Sequence, residues 1–381
     1  MNLAYVDYYQ KGESHHKDPV TIPNALFDLG HNITLISCDP CFDGVSYRID
    51  QLPVLSLESV EKSGWNSFGF SAVIFVSRLD TRFTQTVQNI CKSGLRLIIK
   101  ADTDGTWGYP LVPNYLRART IKQNPINLLR HIKWKIPSSY LVAQKIRQIQ
   151  LADAIVVESP NAAVNAVNIF LHWSMDNLVK KVKFIPNPIS RAALALPVSK
   201  HRDDLILTIG RWEDRGVKNT QIMLQVIETF LRQNQNYNFE IIGSGLQPDE
   251  ASKYLRKFIE SGRVKIKSEL PYIKLQECLG RAKIVLIPSV MESFCLVAAE
   301  ALCAGASLAV TPIESLSYFA GGGRWGSIAK GFAKEQILAA LTYEVQAWEQ
   351  GLRNSMDLST YWRKELNPHK IALQFSNLTP P

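Results

Sequence analysis

Apolar runs of four to six residues recur along the whole chain. In the first half they are Leu3–Val6, Ile33–Ser37, Ala72–Val76, Arg96–Lys100, Ala154–Val157 and Val182–Ile185. In the second half they are Leu205–Ile209, Phe239–Ile242, Val264–Lys267, Ile284–Pro288 and Ser307–Val310. The runs are continuous rather than alternating, which predicts strands buried on both faces. Between them lie stretches with helical spacing, such as Thr220–Leu231, Asp249–Ile259, Phe294–Ala304 and Lys334–Glu349. Strand and helix in alternation predict an α/β chain with parallel sheets covered by helices.

The pattern breaks after Ile185-Pro186-Asn187-Pro188 and through Arg191–Arg202, where Pro197 and a polar stretch suit a linker. This predicts a first domain over 1–190 and a second over 203–350. A tail over 351–381 follows, with a helix near His369–Phe375 that packs back on domain one. A chain of 381 residues also exceeds what one core covers, since single cores stop growing near about 250–300 residues. Two doubly wound, Rossmann-like domains in series face a cleft between the carboxyl ends of their sheets, where ligands bind in such folds.

Composition narrows the function. An apolar share of 46% and a charged share of 20% exclude a disordered, collagen-like or coiled-coil chain. No apolar run approaches the ~18 residues of a membrane span. The first ten residues lack a basic stretch and a cleavage site, so no signal peptide is expected and the chain reads as cytoplasmic. Six cysteines are too sparse for a disulfide framework, and Cys38-x-x-Cys41 lacks a second pair at metal spacing.

The net charge of +9 favours an anionic partner. It is concentrated in residues 105–152, which hold no acid and carry Arg117, Arg119, Lys122, Arg130, Lys133, Lys135, Lys145 and Arg147. Over 116–149 these cations interleave with Leu128, Trp134 and Tyr140, the mixture an interfacial segment needs. That segment is a candidate contact with an anionic membrane at its inner face; a helix pair with a core face and solvated cations is the plain alternative.

The richest chemistry lies in Pro288-Ser289-Val290-Met291-Glu292-Ser293-Phe294-Cys295-Leu296-Val297-Ala298-Ala299-Glu300. A strand ends at Pro288 and a helix is expected from Phe294, with Ser293 as a good N-cap. The first turn of that helix is an anion site. Glu300 is the only charge between Leu296 and Ala306, so it needs partners: a structural salt bridge, a bound proton or a ligand. Glu292 reads as a solvated loop carboxylate or as a ligand group. If the spacing is helical, the two carboxylates lie at most about 12 Å apart.

A second segment, Gly210-Arg211-Trp212-Glu213-Asp214-Arg215-Gly216-Val217-Lys218-Asn219, places cations in a strand–helix loop. Surface charge is the ordinary reading, and a diphosphate clamp is the functional one. Gly243-Ser244-Gly245 and Gly321-Gly322-Gly323 read as turns that also let backbone approach a ligand. Near the start, Gly12, His15 and His16 lie in the first strand–helix loop, which lacks a G-x-G-x-x-G fingerprint. Asp102-Thr103-Asp104-Gly105 reads first as a turn and second as a divalent-cation site.

Taken together, these segments resemble the retaining, nucleotide-sugar-dependent glycosyltransferases of family 4 (glycosyl transferases group 1), of GT-B architecture. The resemblance is strongest over 205–330. It rests on Gly210-Arg211-Trp212 with Lys218-Asn219, Gly243-Ser244-Gly245, and Glu292 to Glu300 at E-x7-E spacing, continued by Glu300-Ala301-Leu302 and Ala304-Gly305. Domain one matches more thinly, through Lys100–Gly105 and Ile185-Pro186-Asn187. The family usually has Glu-Gly-Phe-Gly where this chain has Glu292-Ser293-Phe294-Cys295, which narrows the room around the sugar. Its Lys-Gly pair is here Lys218-Asn219, and Arg215-Gly216 is a competing alignment.

The resemblance implies roles. Arg211, Lys218 and Glu292 form the catalytic set. Gly210, Gly243, Gly245, Ser293, Phe294, Cys295, Leu296, Val297 and Glu300 bind the donor. Gly12, His15, His16, Asp102 and Asp104 are the acceptor-side or sugar-contact candidates. Arg211 and Lys218 would neutralise the diphosphate, Glu292 would hold sugar hydroxyls and Glu300 those of the ribose. One unit pair at 4 Å is worth ~4 kcal/mol at an effective dielectric of 20, which suits a leaving phosphate. The implied donor is a nucleotide sugar and the acceptor a glycan or lipid-linked glycan, with no metal or other cofactor. The rivals are a metal-dependent glycosyltransferase using Asp102 and Asp104, a sugar-nucleotide epimerase, and a basic nucleic-acid-binding protein. No recognition-helix, zinc or RNA-binding signature supports the last, so no nucleic acid is expected.

Overall fold

Strand residues divide their side chains between two covered faces, as continuous apolar runs require. The computed structural model describes residues 1–9, 18–39, 42, 47–77, 80–105 and 138–379. Two α/β units result, one of Met1–His15, Pro19–Pro186 and Ile371–Pro381, the other of His16–Asp18 and Asn187–Lys370.

The first unit holds β1 (Asn2–Asp7), β2 (Asn32–Ser37), β3 (Tyr47–Ile49), β4 (Leu52–Ser56), β5 (Ala72–Val76), β6 (Arg96–Ala101), β7 (Ala154–Val157) and β8 (Val182–Phe184). Their order is β3-β4-β2-β1-β5-β6-β7-β8, and every pairing is parallel except β3 with β4. Ala4, Val6, Val73, Phe75, Leu97 and Ile99 enter one core layer. Leu3, Tyr5, Ala72, Ile74 and Ile98 enter the other, together with Ile371, Ala372 and Phe375 of the helix Pro368–Asn377.

The second unit holds β9 (Asp203–Ile209), β10 (Asn238–Ile242), β11 (Val264–Lys267), β12 (Ala282–Ile287), β13 (Ser307–Val310) and β14 (Gly326–Ile328). The sheet is parallel throughout, in the order β11-β10-β9-β12-β13-β14. Leu205, Leu207, Val285 and Ile287 face one layer, and Ile206, Ile284 and Leu286 the other. In this unit the strand order reverses between β9 and β12. Loops leaving their carboxyl ends diverge to opposite faces there and open a crevice.

Several elements differ from the expected pattern. β3, β4 and β14 were outside it, being short and lying at or next to sheet edges. So was the helix Ser355–Glu365, in which Leu358 and Trp362 are buried while Met356 and Tyr361 are exposed among polar residues. The helix expected from Phe294 starts at Leu296. The stretch 191–202, expected as a linker, lies within the second unit and opens with a short helix, Arg191–Ala195, capped by Ser190. Arg202 then donates to the carbonyls of Leu279, Ala282 and Ala304, at the ends of two helices. Arg363 binds the carbonyls of Cys303, Leu194 and Leu196 at 2.8–2.9 Å. Helix carboxyl ends carry unpaired carbonyls and partial negative charge, so buried guanidinium groups suit them. Among the described residues no helix is long and apolar enough to cross a membrane.

Phe375 is fully buried in the first unit's core, although the second unit's residues separate it from the rest of that core in sequence. Phe375→Ala should cost about 3–5 kcal/mol, the usual range for such a cavity. Urea denaturation followed by tryptophan fluorescence checks this; a loss under about 1 kcal/mol would mean the helix is not part of that core.

Candidate active site

Two loops meet where the second sheet reverses its order. The first follows β9. Gly210 donates to the Ile242 carbonyl at 3.1 Å, and the Trp212 amide to that of Ser244 at 2.8 Å. The indole of Trp212 lies against Gly210, and its Nε1 also binds the Ile242 carbonyl. Gly243 has φ +130°, and a Cβ there would fall 1.9 Å from the Gly210 carbonyl oxygen. Gly245 has φ +81°, and its Cβ would meet the Glu213 carboxylate at 2.1 Å. The glycines of this site therefore let two backbone loops lie in contact.

A short helix, Arg215–Lys218, follows and ends in Asn219 in the left-handed conformation. The second loop, after β12, is tied to it by the Val290 amide on the Val217 carbonyl at 2.8 Å. This contact brings Lys218 to Glu292. Lys218 Nζ lies 2.6 Å from Glu292 Oε1, and both side chains are largely buried. Ser289 Oγ donates to the same carboxylate oxygen at 2.7 Å, and Ser315 Oγ to the Glu292 carbonyl at 3.1 Å. Arg215 instead pairs with Glu250 at 2.9 Å. Arg211 is exposed and lies 3.4 Å from Asp214. Of these three cations, Lys218 alone meets Glu292.

The helix Leu296–Ala304 opens beside this pair. Its N-cap is Cys295 at φ +73°, not the expected Ser293. A left-handed residue at 295 turns the chain sharply, so the first intrahelical bonds run from Ala298 and Ala299 to the Cys295 carbonyl. The amides of Leu296 and Val297 precede those bonds and sit at the positive end of the helix. Phe294 is fixed edge-on against Phe319, with ring centroids 5.1 Å apart.

Glu300 lies farther along the same helix and is buried. Among the described residues no cation pairs with it. Burial pushes its carboxyl up to about 7, and the Tyr272 hydroxyl and Gln276 amide beside it pull the other way. Tyr272 is held by Ser190 Oγ at 2.9 Å. Of the alternatives posed by the sequence, a shared or bound proton fits, and no salt bridge is formed among the described residues.

The first-unit candidates are placed less fully. Gly12, His15 and His16 lie outside the described residues, as do Cys41 and 116–137 of the basic segment. Asp102 and Asp104 are half-buried in a turn on the helix Pro160–His172: Asn165 Nδ2 donates to the Asp104 carbonyl at 2.9 Å. Gly105 packs so closely that a Cβ would lie 2.0 Å from the Ala162 oxygen. Below this turn Lys100 and Glu158 form a fully buried pair at 2.6 Å. Among the described residues no group of three or more His, Cys, Asp or Glu side chains is arranged to hold a metal. The Cys38 thiol is pushed up to about 12 by burial and by Asp7 and Glu61, which opposes a redox role. From the basic segment, Lys145 is half-buried and Arg147 exposed on the helix Ser138–Leu151. Ser315 holds the Glu292 backbone and Tyr272 faces the Glu300 carboxylate, and sequence reasoning missed both, because each comes from an element remote in the chain.

The sequence profile of the glycosyl transferases group 1 family matches residues 196–356, which span β9 to β14 and hold every group just described in the two loops. No curated protein matches the chain significantly in sequence. Solved structures match over its whole length. Sucrose-phosphate synthase from Thermosynechococcus elongatus is 14% identical with a TM-score of 0.68, covering 99% of this chain and 98% of that one. Anabaena Alr3699/HepE in complex with UDP is 11% identical with a TM-score of 0.69, covering 99% of both chains. WaaG, a glycosyltransferase involved in lipopolysaccharide biosynthesis, is 13% identical with a TM-score of 0.63, again over 99% of both. At such identities the likeness establishes the fold, which is GT-B.

Glu300 binds its proton more tightly folded than unfolded. Stability from this group is therefore lost as pH rises from its ordinary value of 4.5 to about 7, and is level above that. Glu300→Gln should gain on the wild type across that window, by at most about 3 kcal/mol, in denaturation measured between pH 4 and 8.5. A pH-independent difference would mean Glu300 titrates normally.

Proposed function

We propose that the chain is a retaining glycosyltransferase that moves a hexosyl group from a nucleotide sugar to an acceptor hydroxyl, on a glycan or lipid-linked glycan. The observation that carries the reading is the Lys218–Glu292 contact at 2.6 Å beside the amino end of Leu296–Ala304. A cation, free amides and a hydroxyl-binding carboxylate converge on one crevice, as cleavage of a sugar–diphosphate bond requires. The donor diphosphate takes Lys218, with Arg211 swinging in from solvent and the Leu296 and Val297 amides completing the grip. Glu292, released from Lys218, holds sugar hydroxyls, and Glu300 holds those of the ribose. Gly210, Gly243 and Gly245 keep the floor thin.

As the anomeric C–O bond breaks, negative charge grows on the leaving phosphate, where Lys218 and Arg211 stabilise it. The same phosphate takes the acceptor proton on the face it leaves, which retains configuration. Arg211 and Lys218 fill the part of a metal, so no ion is required. Acceptor contacts are assigned to the first unit, with Gly12, His15, His16, Asp102 and Asp104 as candidates. UDP is the first donor nucleotide to test, because the HepE structure holds it.

Titration of UDP and its sugars against the full chain tests this. A ligand at 100 Kd raises stability by about 2.7 kcal/mol, readily seen as a shift in Tm. Lys218→Ala should weaken UDP binding at least about tenfold, whereas Arg215→Ala should be nearly silent. Glu292→Gln should tighten UDP by roughly two- to fivefold, since it frees Lys218 from a partly exposed pair, while lowering sugar transfer. No response to any nucleotide sugar sinks the reading. Loss of activity in excess EDTA would favour the Asp102 and Asp104 rival.

The basic segment 116–149 is proposed to meet an anionic membrane, on composition alone. Each Lys or Arg near such a surface is worth ~1 kcal/mol, so the full chain should co-sediment with anionic vesicles and not with neutral ones at low salt. Equal, negligible binding to both would remove this claim and leave the transferase reading intact.

A further inference from the structure

Glu292 stands at the end of a chain of hydroxyls. Its Oε1 accepts from Lys218 Nζ at 2.6 Å and from Ser289 Oγ at 2.7 Å, so one oxygen serves two donors. Among the described residues Oε2 accepts no hydrogen bond. Thr311 Oγ1 donates to the Ser289 carbonyl, and Ser315 Oγ to the Glu292 carbonyl at 3.1 Å. Thr311 follows β13 directly, and its amide is bonded to the carbonyl of Ile287 at the end of β12. Ser315 lies in the first turn of the helix Glu314–Ala320. The backbone at 289 and at 292 is thus held by hydroxyls from the neighbouring β13 connection, and Lys218 has no part in that hold.

The two donors to Oε1 differ in freedom. Ser289 and Thr311 are buried, whereas the side chains of Lys218 and Glu292 keep 17% and 14% of their surface exposed and can be reached from the crevice. Ser289 is three residues from Glu292 on the same loop, with one short side-chain torsion. Lys218 comes from the other loop on a flexible four-carbon stem. An anionic ligand that draws the ammonium away leaves a largely buried carboxylate without its counter-charge. Such a group is costly unless a donor already serves it. Ser289 Oγ is a donor already in place.

We propose that Ser289 is a positioning residue of the donor site: it keeps hold of Glu292 Oε1 when a diphosphate takes Lys218, and so leaves Oε2 for ligand hydroxyls. This rests on the donor-site reading above and adds to it an exchange of partners. Lys218 serves Glu292 before the donor binds and the diphosphate afterwards, while Ser289 serves Glu292 throughout.

A double-mutant cycle on UDP binding, measured by calorimetric titration of the full chain, tests the inference. Ser289→Ala alone should weaken UDP about three- to tenfold, because the complex then leaves Glu292 with neither donor. With Glu292→Ala already in place, Ser289→Ala should change the affinity by less than about twofold. A hydroxyl that merely braced the loop would weaken UDP alike in both backgrounds; that result overturns the inference, as does an unchanged affinity in the first. If Ser289→Ala does not fold, a crystal structure of the wild type with UDP decides. Lys218 Nζ should then lie on the diphosphate with Ser289 Oγ still on Glu292, and a retained Lys218–Glu292 contact or a lost Ser289–Glu292 contact overturns the inference. A wild type that binds neither UDP nor inorganic pyrophosphate overturns the donor-site reading itself, and the inference with it.

Discussion

The constraint on which the candidate site depends is the parallel pairing of β9 with β12. These strands are neighbours in space yet 73 residues separate Ile209 from Ala282 in sequence, and the intervening chain builds one wing of the sheet. Each strand must then release its chain toward a different face. The loops that diverge there cannot close over one another, so polar side chains occupy the crevice without being stripped of solvent altogether. Lys218 and Glu292 find each other under that condition. Their contact rests on Val290 bonding Val217, while the glycines let the loop after β10 lie against the loop after β9. The order of dependence runs from strand pairing to backbone approach to charge.

The polar groups around this crevice fall into two kinds. Glu292 is supplied with a cation and a hydroxyl, Lys218 and Ser289, and is held in place by both. Glu300 has hydroxyl and amide neighbours only and is held near the balance point of its proton. Two carboxylates on one segment thus have unlike chemistry because their surroundings differ. Burial with a counter-charge fixes a state, whereas burial without one leaves it adjustable. A ligand that brings hydroxyls to Glu300 meets a group that can donate or accept.

Much of this was legible in the chain. Ala72–Val76 and Ala154–Val157 are strands with the bounds their apolar runs suggest, because a strand covered on both faces leaves no polar residue to blur its ends; Val264–Lys267 keeps its bounds too, although it is a half-exposed edge strand with two lysines. β14 and β3 escaped because three residues make no pattern. The helix Ser355–Glu365 carried a readable sign, with Asn354 as N-cap and Ser355, Leu358, Ser359 and Trp362 on one face, but its polar composition obscured it. The loops of the site were legible as contiguous segments. The pairing of Tyr272 with Glu300 was not, since 28 residues and a strand separate them and neither residue type demands the other. At position 295 the cysteine itself does not write the left-handed backbone, and the one sign of it was the glycine that the resembled family usually has there.

The helix Pro368–Asn377 places Ile371, Ala372 and Phe375 in the first unit's core. During synthesis the first unit emerges well ahead of them. At roughly 5–20 residues per second, the 185 residues from Pro186 to Ile371 take about 10–40 s to appear. Throughout that interval the apolar layer around Tyr5, Ile74 and Ile98 has no lid of its own chain and must be shielded by chaperones or by transient contacts. A stretch made some 185 residues later thus completes the first unit, and a chain cut short before Ile371 would leave that unit's layer uncovered.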